Sequence, residues 1–451
     1  MIFGTVAAVS TPRGRGGVSM IRVTGPDARA VLGRVFRPSG AGGISPRRAV
    51  HGLFSDDGGV FDDGIAVFYP APGSYTGEDT AELCCHGGVL VTERLLAACF
   101  SAGALPAGAG EFTRRAFING KLTLTEAEAV AGIIDAVCTR QLDISVRQAS
   151  GALSAKISGI YDRLKTLAAS LYAYIDYPDE DLSDIPHDRL AAELAGARAE
   201  LDALADSHRY GRAVSEGVDT VIVGRTNTGK SSLLNLLLGF ERALVSDAEG
   251  TTRDVVSETC VVGGVPLRLS DTAGIRSGAG EIEAAGIRKG LERLENAGLV
   301  FAVFDCSCPL SEEDHALAGR IRELGKEDCT IAVFNKADLA PSFAPPPIFA
   351  RSAVISALTG EGKDSLERAV ASFYGDYDGD PGTVVMSARQ AAALRRASDA
   401  LGSALGSLEL LMPDAAGTDI EAALAALGET DGRGVSEEIV SEIFSHFCVG
   451  K

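Results

Sequence analysis

The sequence predicts a multidomain chain of mixed class, in which a parallel-sheet α/β domain is inserted into a helical domain and an α+β region stands in front. Three observations predict it. Residues 1 to about 120 carry short alternating runs such as "SMIRVTG" and "GIAVFYP", separated by Gly, Asp and Pro turns such as "SDDGG". From Thr123 to about Arg212, and again from Ser387 onward, Ala-rich stretches such as "EAEAVAGIIDAV" place apolar residues three and four apart, the spacing of one helix face. Between them, "VDTVIVG", "GLVFAVFD" and "CTIAVFN" alternate with helical segments, the order a parallel sheet requires. The boundaries expected are therefore 1–120, 121–214 for the first helical part, 215–377 for the inserted domain and 378–451 for the second helical part.

Composition narrows the classes. A chain of 451 residues with 46% hydrophobic content suits two to four globular domains. No N-terminal stretch reads as a secretion signal and no apolar run approaches the ~18 residues of a membrane span, so a cytoplasmic protein with no membrane partner is expected. Nine cysteines with no CxxC pair fit reduced thiols rather than a disulfide framework or a zinc site, and Cys306 and Cys308 read as strand-end residues. A net charge of −19 excludes a uniformly basic nucleic-acid binder, so any RNA contact must use local patches. The segment "DDGGVFDDG" lacks the ligand spacing and closing Glu of a calcium loop and reads as hairpin turns.

The chemistry concentrates in the inserted domain. Val221, Ile222 and Val223 run as a strand into "GRTNTGKSS", residues 224–232, followed by the helix-like "LLNLLLG". This is GxxxxGK[ST] between a strand and a helix, where backbone N–H groups cradle phosphates, Lys230 reaches the β and γ phosphates and Ser231 ligates magnesium. Asn227, Thr228, Gly229 and Ser232 complete the loop. A second Gly-Lys pair, Gly362 and Lys363, has Ala357 at the leading position and is expected to lack a hydrophobic helix after it.

"NKAD", Asn335 to Asp338, follows a strand and precedes "ISA" at 355–357. Asp338 can accept hydrogen bonds from guanine N1–H and its 2-amino group, a donor pair adenine lacks; Lys336, Ser356 and Ala357 belong to the same base site. "DTAG" at 271–274 places Asp271 to hold magnesium through water and Gly274 to turn its N–H toward the γ-phosphate. Thr251 and Thr252 in "GTTRD" lie between these motifs, where Thr252 would close on magnesium. In this order the motifs specify a P-loop GTPase domain holding GTP. Ile275 stands where GTPases of the Ras kind place a water-orienting Gln, so hydrolysis is either slow or organised differently.

With these motifs in place, the chain resembles the tRNA-modification GTPase MnmE (TrmE) family along essentially its whole length. The resemblance rests on "GRGGVSMIRVTG", "SYTGEDTAEL", "HGG", "GEFTRRAFINGKLTLTEAEAV", the GTPase motifs and the terminal "FCVGK". Thr226 replaces a usual Pro, and "ELCCHGG" carries two cysteines at a variable place. The resemblance implies an N-terminal folate-binding and dimerising domain, a discontinuous helical domain and an inserted G domain. It implies a homodimer that forms a heterotetramer with the FAD protein MnmG (GidA). This assembly modifies C5 of wobble uridine in tRNA with a (carboxymethyl)aminomethyl group, using a 5-formyl or 5,10-methylene tetrahydrofolate. It further implies a potassium site from Asn227 with Ser246, Ala248 and Thr251 of switch I, and catalytic roles for Glu283, which orients hydrolytic water, and Cys448.

Arg22, Glu78, Arg115, Lys121 and Lys451 lie in family motifs, and their charges suit the glutamate tail and pterin edges of a folate. Each of the first four equally suits a surface ion pair. Glu283 also reads as a solvated helix-start carboxylate, and Cys448 as a packing residue on an apolar terminal segment. The rival to the family reading is an RNA-binding, ribosome-assembly GTPase of the Era kind, which would bind no folate.

Overall fold

The structure, a computed structural model, describes residues 4–40, 42–176, 187–239, 241–242, 258–269, 294–339, 347–374 and 380–450. Packing divides the chain into two compact units, residues 1–131 with 427–451, and residues 132–426. The expected class holds, with two sheets and the helical segments where the periodicity placed them.

The first unit is built on a seven-stranded sheet. Its strands are β1 (Val6–Val9), β2 (Val18–Thr24), β3 (Phe36–Pro38), β4 (Val50–Asp56), β5 (Gly59–Tyr69), β6 (Thr80–His86) and β7 (Leu105–Pro106), ordered β3-β4-β5-β6-β2-β1-β7. All neighbours are antiparallel except β1 and β7. Alternation sends Ile21, Val23, Phe54, Ala66, Phe68 and Leu83 to one face, where Leu32, Val35, Leu95 and Cys99 of helices Ala28–Val35 and Val89–Ser101 cover them. The other face carries Arg22 and Glu82. The "DDGG" turn is the β4–β5 hairpin, closed by Gly58 N–H donating to Asp56 Oδ1 at 2.9 Å. Residues 427–450 belong to this unit: Phe444 and Phe447 bury against Leu124 and Ala127.

The second unit contains the sheet β8 (Val218–Val223), β9 (Glu241–Arg242), β10 (Glu258–Val262), β11 (Val265–Leu269), β12 (Leu299–Asp305), β13 (Thr330–Asn335) and β14 (Arg351–Val354). Its order is β14-β13-β12-β8-β11-β10-β9, parallel from β14 to β11. Every residue of β12 and β13 is buried, because helices cover both faces. Leu233, Leu237, Val370 and Phe373 pack on one side, and Ala318 and Ile321 on the other. The chain leaves β8 toward β11 and later returns on its opposite side as β12, so the crevice at the C-terminal ends of these strands is a topological switch point.

One expectation fails. A helix does follow Gly362 and Lys363: Lys363–Tyr374 buries Leu366, Val370 and Phe373. Its polar positions between the apolar ones hide the stripe from a reading that looks for a continuous run. The loop before it turns back on itself, Ser356 N–H donating to Glu361 O at 2.9 Å and Gly360 N–H to Ser356 O at 2.8 Å.

Candidate functional site

The phosphate loop is the junction of β8 and helix Lys230–Leu238. Asn227 and Gly229 hold φ at +62° and +91°, bending the chain around the space at the helix N-terminus. A side chain at residue 229 is impossible as the loop stands, since its Cβ would lie 2.1 Å from Asn335 Nδ2. Thr228 Oγ1 donates to Arg225 O at 3.1 Å, and Lys230 Nζ donates to Gly224 O and Arg225 O at 2.8 and 2.7 Å. The ammonium thus stands over the loop it would share with phosphate oxygens, and burial lowers its pKa below the usual lysine value. Ser231 and Ser232 are exposed on the first turn, free to face a nucleotide and its metal.

Asn335, at the end of β13 and 2% exposed, ties this loop to the base site. Its Nδ2 donates to Thr228 O at 2.9 Å, while Ala357 N–H donates to its Oδ1 at 2.9 Å. Ser356 Oγ donates to Asp338 Oδ1 at 2.6 Å and also accepts from Thr359 N–H at 3.2 Å, so one carboxylate oxygen of Asp338 is oriented by the protein. Lys336 pairs with Asp305 at 2.5 Å across the ends of β12 and β13. Burial would raise the Asp305 pKa, but hydrogen bonds from Lys336 and Ser307 outweigh it and hold the carboxyl below its usual value. The structure therefore brings Asn227 through Ser232 together with Asn335, Lys336, Asp338, Ser356 and Ala357. Ser246, Ala248, Thr251, Thr252, Asp271, Gly274, Glu283 and Lys451 lie outside the described residues.

In the first unit the charged motif residues separate into two groups. Arg22 on β2 faces Glu82 on β6 in the strand register, donating from Nε and its terminal amine to Glu82 Oε1 at 3.1 and 2.8 Å. Tyr69 donates to Glu82 Oε2 at 3.3 Å, and the Arg22 guanidinium lies 5.6 Å from the Tyr75 ring centre and 5.5 Å from that of Phe112. Burial raises the Tyr75 pKa above the usual phenol value. Glu78 instead meets Arg115, only 2% exposed, whose guanidinium also binds Glu111 at 2.9 Å. Lys121 is exposed, donates to Pro72 O at 3.3 Å and borders a cavity of about 350 Å³ with Phe117, Thr123, Glu126 and Arg433.

Glu82, the partner of Arg22, is a residue that sequence reasoning did not single out. The available signal was register: Arg22 and Glu82 are the charged positions within two otherwise uncharged strands of β-forming pattern.

Near the C-terminus, Gly110 N–H donates to Cys448 O at 3.4 Å, Val449 bridges Ala109, and Ser10 Oγ donates to Gly450 O at 2.9 Å. The Cys448 thiol is exposed, and Phe444 and Phe447 carry the packing of this segment. Among the described residues, Asp62, Asp63 and His86 have ligand atoms close enough for a metal ion. Their polar atoms already have hydrogen-bond partners: His86 Nδ1 bonds Asp62 at 2.8 Å, and Asp63 bonds His51 at 3.0 Å.

Comparison with known proteins identifies the family. Residues 5–121 match the family described as the GTP-binding protein TrmE N-terminus, and residues 124–448 match the MnmE helical domain. The chain is 38% identical to the tRNA modification GTPase MnmE of Natranaerobius thermophilus, with 99% of each chain covered. It is 40% identical to that of Symbiobacterium thermophilum over 99% of each chain, and 37% identical to that of Thermotoga petrophila over 99% of this chain and 100% of the relative. Among solved structures it is similar to Era of Aquifex aeolicus, 24% identical over 41% of this chain and 66% of that one, with a TM-score of 0.28.

Proposed function

Because the chain belongs to the MnmE family of tRNA modification GTPases, and is itself a GTP hydrolase, we propose that its GTP cycle drives modification of tRNA at C5 of the wobble uridine. In this reading it works in the cytoplasm as a homodimer with the flavoprotein MnmG, and a tetrahydrofolate supplies the one-carbon unit. The single observation that carries the nucleotide half is the buried Asn335, which joins the phosphate loop to the loop that orients Asp338. Phosphate and guanine are thereby read by one connected framework.

Lys230 and the N–H groups around Gly229 would bind the β and γ phosphates, and Ser231 with Thr252 and Asp271 would hold magnesium, which supplies charge neutralisation there. With Ile275 in place of a Gln, we assign water orientation to Glu283 and the extra cation to potassium held by Asn227 and the carbonyls of Ser246, Ala248 and Thr251. Two G domains meeting would order these groups. For the folate, Arg22 with its partner Glu82, together with Lys121 and Lys451, offers the mixed donor and acceptor edges a pterin and its glutamate tail need. The buried Arg115 fixes Glu78 instead of facing solvent.

Asp338→Asn is the test of the nucleotide reading. It should weaken GTP binding by about 1–3 kcal/mol, by analogy with bidentate base contacts, and relax selectivity toward xanthosine nucleotides. Unchanged GTP affinity in that variant would remove guanine recognition from Asp338.

A further inference from the structure

The side chain of Arg225, the second residue of the phosphate loop, reaches Asp314 and Cys308 and has no part in the chemistry above. Arg225 Nε donates to Asp314 Oδ2 at 3.2 Å, and a terminal amine reaches Cys308 Sγ at 3.3 Å. The Asp314 side chain is 1% exposed, whereas that of Arg225 is 23% exposed. The same Asp314 oxygen accepts from Ser311 N–H and Oγ at 2.9 and 2.8 Å, closing the capping box of helix Glu312–Glu323. Its other oxygen is buried without a hydrogen-bond partner. Arg225 is therefore the cation that offsets an enclosed carboxylate, and an enclosed carboxylate holds its cation firmly.

Both ends of Arg225 are engaged. Its carbonyl accepts from Thr228 Oγ1 and Lys230 Nζ, so its backbone is part of the phosphate loop while its side chain is held outside the loop. The segment it grips, residues 305–314, also carries Asp305, the partner of Lys336 in the guanine motif.

We propose that Arg225 is a positioning residue for GTP binding, fastening the phosphate loop to the connection between β12 and helix Glu312–Glu323 through its ion pair with Asp314. It touches no substrate and acts by holding the loop in its binding shape before nucleotide arrives. A loop released from Asp314 must be ordered by the nucleotide, so affinity falls for GTP and GDP alike while kcat changes little.

The test measures Kd for GTP and GDP, KM, kcat and Tm for Arg225→Ala, Arg225→Lys, Asp314→Asn, Ser311→Ala and the double variant Arg225→Ala with Asp314→Asn. Arg225→Ala and Asp314→Asn should each raise both Kd values and KM about tenfold, with kcat within about threefold of the parent. The double variant should be within about twofold of the weaker single one, because both remove the same pair. Arg225→Lys keeps the charge and should recover most of the affinity. Ser311→Ala breaks the cap but leaves the ion pair, so it should lower Tm while leaving Kd within about twofold. A lowered Tm with unchanged Kd in Arg225→Ala would make the residue merely structural and overturn the proposal. So would additive losses in the double variant. Should Arg225→Ala fail to fold, the milder Arg225→Lys and Asp314→Asn still decide: unchanged affinity in Asp314→Asn refutes it.

Discussion

Two arginines of the first unit, one fully enclosed and one part-buried, make different predictions. Arg115 is enclosed between Glu78 and Glu111, so Arg115→Leu leaves two carboxylates without their cation and should cost about 3–5 kcal/mol, read as a large fall in the denaturant midpoint. Arg22 is part-buried beside Glu82, with side chains 13% and 22% exposed, and lies against the rings of Tyr75 and Phe112. Arg22→Ala should lower the denaturant midpoint less than Arg115→Leu does while abolishing folate binding in a calorimetric titration. Retained folate affinity would take Arg22 out of the site. His86 is the third case: its hydrogen bond to Asp62 raises its pKa above 6.5. Raised in the folded state, this pair stabilises fully below pH ~6.5 and loses its contribution as pH rises through the folded pKa. NMR titration should show His86 falling back toward 6.5 in Asp62→Asn. Sequence alone could name Arg22, Glu78 and Arg115 as charged motif residues but could not pair them. Pairing depends on which strands lie side by side, and Arg22 on β2 and Glu82 on β6 are 60 residues apart in the chain.

At the scale of the element, the phosphate loop and the base loop were legible because each is a strand end followed by residues with few conformational options. Asn227 and Gly229 have to bend, and fully buried parallel strands must read as unbroken apolar runs such as "FAVF". The C-terminal segment was not legible, since it meets residues more than four hundred positions away. That attachment makes a prediction. Gly450 holds φ at +100°, and a Cβ there would lie 2.1 Å from Val9 O. Gly450→Ala should detach the last residues, making them susceptible to carboxypeptidase, and should lower tRNA modification while leaving GTP hydrolysis near the parental rate. A tail as resistant as the parent's would show that the strand accommodates the methyl group.

At the scale of the whole molecule, the predictions concern the cation that assists hydrolysis and the link between hydrolysis and tRNA modification. The potassium assignment predicts that GTP hydrolysis is much faster in potassium than in sodium at protein concentrations that allow dimers to form. Asn227→Ala should lose that response, and Glu283→Ala should lose turnover while still dimerising with a transition-state mimic. Equal rates in the two salts would favour a partner-supplied arginine instead. The exposed Cys448 thiol should be dispensable for hydrolysis, so Cys448→Ser should separate the two activities. The most direct measurement is mass spectrometry of wobble uridines in tRNA from cells lacking this protein, complemented with the parent, Asp338→Asn or Cys448→Ser. The deletion should lose the C5 aminomethyl-type modification, the parent should restore it, and either variant should restore it poorly. Full modification in the deletion strain would contradict the proposed function.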